Sequence, residues 1–311
     1  MSTVVFLLAP QLHLLDLAGP AQVFSTAADL GQDYQLRFVG EQKDVPTAQG
    51  ICLQASVTWP QLSPDDFIVV PGWRSPERES HAKFSAATVE RLKEHYRGGG
   101  IVASVCAGAF ALGQAGLLDG RRCTTHHDLQ DALASRYERA TVVHDMLYVI
   151  DERLVTSAGI ASGIDLVLHL LARRHGPNFA AKIARQMVVY ARRNGDEHQT
   201  SAMLRFRSHI SDTVHCVQDL IDARFAEQLT LGELAVAGGV SERTLTRAFG
   251  RATGLTPLRY QQLLRLERAE HLIGRGATVE AAARDVGFTD ARMLRRLRSR
   301  GQGRPLPAPS R

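Results

Sequence analysis

Cysteine is scarce and scattered. The four in this chain, Cys52, Cys106, Cys123 and Cys216, form no C-x-x-C pair. That excludes the common zinc patterns and a disulfide framework, and it suits a reducing cytoplasm. Long apolar runs are missing too: no segment reaches the ~18 residues that a membrane span needs. The apolar start, STVVFLLAPQLHLLDLAGP, has no basic stretch ahead of it and is interrupted by Asp16. It reads as a buried strand followed by a turn, not as a secretory signal. Lysine disappears in the last third. From residue 201 onward there are 18 Arg, no Lys and 11 Asp plus Glu, a balance of +7, so the first 200 residues must sum to −2 to give the net +5. A basic C-terminal part beside a near-neutral N-terminal part points to a polyanion partner for the former.

What is present fits two domains. The length is 311 residues, and 44% hydrophobic against 22% charged is the balance of a soluble chain with a sizeable core. Over the first 175 residues, strand-like and helix-like segments alternate. TVVFLLA (3–9), YQLRFVG (34–40), ICLQASV (51–57), DFIVVPG (66–72) and GIVASV (100–105) read as strands. PAQVFSTAADLG (20–31), residues 84–97, AGAFALGQAGLL (107–118), GIDLVLHLLARRHG (163–176) and FAAKIARQMVVYARR (179–193) read as helices. LYVIDERLVTSAG (147–159) reads as a hairpin turning at Asp151-Glu152. Continuous apolar strands between helices predict an α/β domain with a mainly parallel sheet. Residues 194–212 are polar and mixed, a linker pattern. Beyond them only helical signals remain, up to a Pro/Gly-rich tail over 301–311 expected to be disordered.

The helical part contains a repeat. TLGELAVAGGVSERTLTRAF (230–249) aligns with TVEAAARDVGFTDARMLRRL (278–297). The alignment pairs Ala235 with Ala283, Gly239 with Gly287, Ser241 with Thr289, Leu245 with Met293 and Phe249 with Leu297. Each copy fits a helix-turn-helix: a small residue for close packing, a glycine for the turn and a hydroxyl to cap the second helix. The faces opposite the apolar positions carry Arg243, Thr246 and Arg247 in the first copy, and Arg292, Arg295 and Arg296 in the second. Arginine suits both phosphates and guanine edges.

Residues 213–300 resemble the AraC-type DNA-binding domain. The matching motifs are LxxLA (Leu231, Leu234, Ala235), SxRTLTRxF (Ser241, Arg243, Thr244, Leu245, Thr246, Arg247, Phe249) and TGLTPxxY with RLxxA (Pro257, Tyr260, Arg265, Leu266, Ala269). VGF (Val286, Gly287, Phe288) marks the second copy. The resemblance implies a linking helix over about 257–273 that sets two recognition helices into successive major grooves, about 34 Å apart. The DNA-facing set is then Ser241, Arg243, Thr244, Thr246, Arg247, Arg292, Arg295 and Arg296. The second copy closes on RRLRSRGQGRPLPAPSR without the G-x-x-P-x-x-Y ending of the first, which favours phosphate contact there.

In the N-terminal part, Ser104, Cys106 and Gly108 form S-x-C-x-G between a strand and a helix. Small neighbours permit a strained turn that projects the thiol at the strand's carboxyl end, and a helix N-terminus there would lower its pKa. Gly72, after the strand FIVVP, could supply a backbone N–H beside it. Residues 3–190 resemble the type 1 glutamine amidotransferase-like (PfpI-type) fold, through LLDLAGPAQVF, VVPGW, SVCAGAFALGQAGLLDGRRCTTHH and TSAGIASGIDLVLHLL. The resemblance implies a flavodoxin-like sandwich in which Cys106 works with an acid from the Asp16 region or a histidine, with His126 a candidate. Ala107 stands where the family's proteases have a histidine.

The expectation is thus an α/β sensor domain over 1–193, a linker, and an all-α domain over 213–300 with two helix-turn-helix units. Its function would be sequence-specific regulation of transcription under a small-molecule effector, to which the resemblance assigns amino acids or amines. The effector pocket would hold Asp16, Gly72, Trp73, Cys106, Ala107 and His126. Double-stranded DNA and a second copy of the chain are the expected partners. No catalytic residue, metal, cofactor or membrane contact is expected. Two alternatives stay open: a cysteine hydrolase or hydratase acting on a C–N bond through Cys106, and a nucleic-acid binder without sequence preference.

Overall fold

The structure, a computed structural model, describes residues 1–74, 84–159, 161–189, 195, 199, 206–207, 209–274 and 276–301. The chain divides into two compact units, Met1–Gln199 and Thr200–Arg311. Unit 1 begins β1 (Ser2–Leu8), α1 (Leu14–Asp29), β2 (Tyr34–Gly40), β3 (Asp44–Pro46), β4 (Cys52–Gln54), β5 (Phe67–Val70) and α2 (Ala86–Arg97). It continues β6 (Ile101–Val105), α3 (Ala109–Gln114), β7 (Arg122–Cys123), α4 (Gln130–Arg136), β8 (Thr141–Val142), β9 (Tyr148–Asp151), β10 (Leu154–Ser157), α5 (Ser162–His175) and α6 (Pro177–Gln186).

Six strands form the main sheet in the order β2-β1-β5-β6-β10-β9. All neighbours run parallel except β9, which returns antiparallel along β10 through the expected hairpin. All four residues of β5 are buried, as are all four of β10. A parallel sheet with both faces apolar must be covered on both sides. Here α1, α5 and α6 pack as one group and α2 with α3 as another.

Three local expectations change. The first helix starts at Leu14, well before Pro20, which lies inside it. A proline reads as a helix start because its missing N–H costs nothing there. Burial of Leu17, Val23 and Phe24 instead holds α1 through it, and Asp16 sits in its first turn. Residues 51–57 form only the short β4, paired with β3 in a separate ribbon, with Ile51 and Val57 exposed. The segment after β6 opens as a 3-10 turn, Cys106–Gly108, before α3.

Unit 2 holds α7 (Asp212–Ala223), α8 (Leu231–Ala237), α9 (Glu242–Thr253), α10 (Pro257–Gly274), α11 (Val279–Asp285) and α12 (Ala291–Gly301). Two apolar clusters carry it. One gathers Phe206, Val214, Leu234, Leu245, Phe249 and Tyr260, and the other gathers Ala269, Ala283, Val286, Leu294 and Leu297. The long α10 supplies residues to both, and Phe225 touches both. Of the span 194–212, Gly195 and Gln199 bond within unit 1 and Phe206 packs within unit 2. Most of the rest of that span, the end of the expected helix 179–193 from residue 190 onward, and the tail beyond Gly301 lie outside the described residues.

Candidate functional site

Four neighbouring strands of the main sheet, β1, β5, β6 and β10, end on the same side. The residues that follow them converge: Asp16 after β1, Gly72 after β5, Cys106 after β6 and Gly159 after β10. Carboxyl ends of parallel strands are where open α/β sheets form their crevices. Cys106 holds the strained turn expected of it, with φ 53°, a left-handed conformation that a non-glycine side chain adopts at a cost. Two glycines make room for it. A Cβ on Gly72 would lie 2.7 Å from Cys106 Cβ and 2.5 Å from Asp16 Oδ2, and one on Gly159 would stand 3.0 Å from the thiol sulfur. Gly159 has no side-chain chemistry for a sequence motif to display; its one local signal is its place after a buried strand in TSAG.

The electrostatics overturn one expectation. Cys106 is buried, and burial pushes its thiol pKa well above the ordinary range. The Asp16 carboxyl, itself fully buried, adds charge and a hydrogen bond that also favour the thiol over the thiolate. The one lowering influence, a backbone hydrogen bond from Ala107, is outweighed. A helix N-terminus was expected to activate the thiol. Burial first, and then the neighbouring Asp16 carboxyl, do the opposite.

Trp73 and Ala107 are both buried beside this point, and Trp73 rests edge-on against Phe84 with ring centroids 6.2 Å apart. His126 is engaged elsewhere. Its Nδ1 accepts from the Asp128 N–H at 3.4 Å, and its ring lies tilted against that of His127, centroids 4.2 Å apart. Burial, followed by the charges of His127 and His13, holds its pKa below the usual value against the pull of Asp128. The residue that does touch the elbow is Thr125, whose hydroxyl donates to the Cys106 carbonyl at 2.7 Å. Among the described residues, His126, His127 and Asp128 are one group whose donor atoms lie within 4.8 Å of one another, as a metal would require. His127 Nδ1 already lies 3.1 Å from Asp128 Oδ1. A separate concavity of about 540 Å³, lined by Trp59, Pro64, Arg91, Glu94 and His95, lies at the opposite, amino ends of β5 and β6.

In unit 2 the repeat forms two helix-turn-helix pairs, α8–α9 and α11–α12. Gly239 and Gly287 take φ 65° and 82°, as the turn requires. The Val240 N–H donates to the Ala235 carbonyl at 3.0 Å and the Phe288 N–H to the Ala283 carbonyl at 2.9 Å. Past this point the copies diverge. Ser241 caps α9 by accepting from the Thr244 N–H, whereas at α12 the Arg292 N–H is taken by Asp290 Oδ1, one residue later than the expected Thr289. One extra residue in the turn shifts the register. Leu294 is therefore buried and Met293 is 43% exposed, the reverse of the sequence alignment.

Arg243 and Arg247 are exposed on α9, and with Thr246, Glu242 and Leu231 they line a shallow concavity. Arg292, Arg295 and Arg296 are exposed on α12. Arg295 pairs with Glu280 and Arg292 lies near Asp290, while Arg243, Arg247 and Arg296 have no acidic partner among the described residues. Arg265 on α10 fastens the two halves. Its guanidinium donates to the carbonyls of Phe225 (2.6 Å), Glu227 (2.6 Å) and Gly287 (2.9 Å). No helix among the described residues is long and apolar enough to cross a membrane.

Comparison with known proteins agrees with this division. Residues 2–173 match the DJ-1/PfpI family, and residues 234–303 match a helix-turn-helix domain. The chain is 34% identical over 183 residues to the HTH-type transcriptional regulator GbdR of Pseudomonas aeruginosa, covering 58% of this chain and 49% of GbdR. It is 32% identical over 188 residues to an isonitrile hydratase of Pseudomonas putida, covering 58% of this chain and 76% of the hydratase. The chain thus spans about half the length of the regulator it matches. The crystal structure of an AraC family transcriptional regulator from Pseudomonas putida superposes with a TM-score of 0.51 at 22% identity, over 60% of this chain and all of that one. More than half of the sequence lies within the first of these matches, and the chain belongs to the DJ-1/PfpI family, with a helix-turn-helix domain following in the same polypeptide.

Proposed function

We propose that this protein is a sequence-specific transcriptional regulator that senses a small molecule. One observation carries the reading: α9 turns Leu245 and Phe249 inward, α12 turns Leu294 and Leu297 inward, both present exposed arginines outward, and α10 binds the two pairs into one body. In this reading Arg243, Thr246 and Arg247 meet base edges. Ser241 and Thr244 order the start of α9 against the backbone. Arg292, Arg295 and Arg296 contact phosphates. Residues 213–300 are the DNA-binding part and 1–193 the sensor. Similarity to a regulator such as GbdR supports the same assignment.

The effector site of this reading comprises Asp16, Gly72, Trp73, Cys106, Ala107 and His126, at the carboxyl ends of the parallel strands. The buried Asp16 carboxyl among small neighbours suits a nitrogen that hydrogen-bonds to it, so an amine or amino acid is the class proposed. The protein works in the cytoplasm as a homodimer, with α6 the contributed face. The test is selection of sheared genomic fragments by purified full chain at ~150 mM salt with excess competitor. Enrichment of one or a few intergenic fragments is the expected result. Uniform recovery of all fragments would overturn sequence-specific binding.

The strained Cys106 turn and the similarity to an isonitrile hydratase favour a second reading, a C–N hydratase. Against it, the thiol is held protonated by burial and by Asp16. Turnover of an isonitrile that is lost in Cys106→Ser would restore this reading.

A further inference from the structure

The Cys106 elbow is tied by hydrogen bonds to the residue at which the first unit ends. Thr125 donates its hydroxyl to the Cys106 carbonyl at 2.7 Å. The Thr125 carbonyl in turn accepts from Gln199 Nε2 at 2.9 Å. Gln199 is the last residue of unit 1, and Thr200 opens unit 2. Two intermediaries therefore separate the thiol's own peptide from the chain that enters the helix-turn-helix unit.

Gln199 is docked firmly but incompletely. It is 8% exposed; its Nε2 also donates to the Met146 carbonyl at 2.8 Å, and its N–H donates to the Asp145 carbonyl at 3.2 Å. Gly195 lies against the edge strand β9, accepting from the Tyr148 N–H at 3.3 Å. A Cβ there would come within 2.6 Å of the Tyr148 ring. Yet Gln199 Oε1 is buried without a hydrogen-bond partner among the described residues. The Thr125 carbonyl does not depend on Gln199 either, because Gln130 Nε2 also donates to it at 3.2 Å. Releasing Gln199 would leave no orphan at Thr125 and would hydrate its own stranded oxygen. The docked arrangement thus leaves one buried acceptor unsatisfied, a cost that release to water would remove.

We propose that Gln199 is the coupling residue of this protein: occupancy of the Cys106 pocket moves the Cys106 peptide, Thr125 follows, and Gln199 is docked or released at the entrance to the helix-turn-helix unit. The proposal rests on the sensor–regulator reading above and names how the two parts communicate. Linkage makes the coupling reciprocal: whatever releases Gln199 must also change the pocket.

Iodoacetamide is the probe, used on the full chain with Cys52→Ser and Cys216→Ser so that the two exposed thiols are removed. Its amide group, verified by mass spectrometry to sit on Cys106 and not on the buried Cys123, must displace the residues packed around the thiol, and so stands in for an effector. Amide exchange of the peptide carrying Gln199 should quicken at least fivefold on labelling. The affinity for the selected DNA fragment should change at least fivefold. In Gln199→Ala the peptide should exchange fast before labelling, and labelling should move DNA affinity less than twofold. Thr125→Val, which keeps the side-chain shape, should break the same coupling from the other end and guards against a Gln199 variant that folds poorly. Unchanged exchange on labelling, or a full affinity change retained in both variants, overturns the proposal. If no fragment is selected at all, the regulator reading fails, while the exchange measurement still decides whether Cys106 and Gln199 are coupled.

Discussion

At the scale of the residue, the site is governed by what surrounds the Cys106 sulfur. Because burial and the Asp16 charge raise its pKa, iodoacetamide at neutral pH should label the exposed Cys52 and Cys216 at least ~10-fold faster than Cys106. In Asp16→Asn the opposing charge is gone, so the Cys106 rate profile should move to lower pH. An unchanged profile would remove Asp16 from the account. The same shift has a stability consequence. The folded state holds the thiol proton more tightly than the unfolded chain does. This group's contribution is therefore complete below the unfolded thiol's pKa of about 8.5 and is lost as pH rises above it. Cys106→Ala should flatten the alkaline decline in unfolding free energy relative to the parent. Gly72→Ala tests the packing, since its methyl must displace either Asp16 or Cys106. A loss of about 1–3 kcal/mol in denaturant unfolding is expected. The motif S-x-C-x-G made the elbow legible in the sequence. The sign of the pKa shift was not, because Asp16 comes from a different strand end.

Among the elements, the two helix-turn-helix copies give the sharpest contrast. Their glycine turns and small-residue contacts follow from the repeat, but the caps do not match. Ser241→Ala and Asp290→Ala should each lower the unfolding free energy by ~1 kcal/mol, whereas Thr289→Ala should stay within ~0.5 kcal/mol. Thermal unfolding of the full chain reads all three, and a large loss at Thr289 would refute the shifted register. The sequence alignment kept one spacing through the turn. One inserted residue rotates α12 so that Leu294, rather than Met293, faces the core. A similar limit applies to α1. The local pattern around Pro20 suggested a helix start, and packing of Leu17 against the core extended the helix past it.

On the scale of the whole molecule, charge and topology decide what the protein can bind. The excess of +7 after residue 200 is carried entirely by arginine, and the faces of α9 and α12 display it. Arg296→Ala should weaken binding to all DNA alike and reduce the salt slope by about 1, as loss of one phosphate contact does. Arg247→Ala should instead cost about 1–3 kcal/mol on the selected fragment while sparing nonspecific DNA. Titrations at several salt concentrations separate the two, and equal behaviour of both variants would undo the division of roles. The division into an α/β part and a helical part, the parallel sheet and the two helix-turn-helix copies were determined by the sequence alone, because apolar periodicity and turn residues are local signals. The meeting of Asp16, Gly72, Cys106 and Gly159 was decided only in three dimensions, as was the path from Cys106 through Thr125 to Gln199. Those residues come from the ends of separate strands and from the far end of unit 1. Only the strand order of the sheet determines which of them become neighbours.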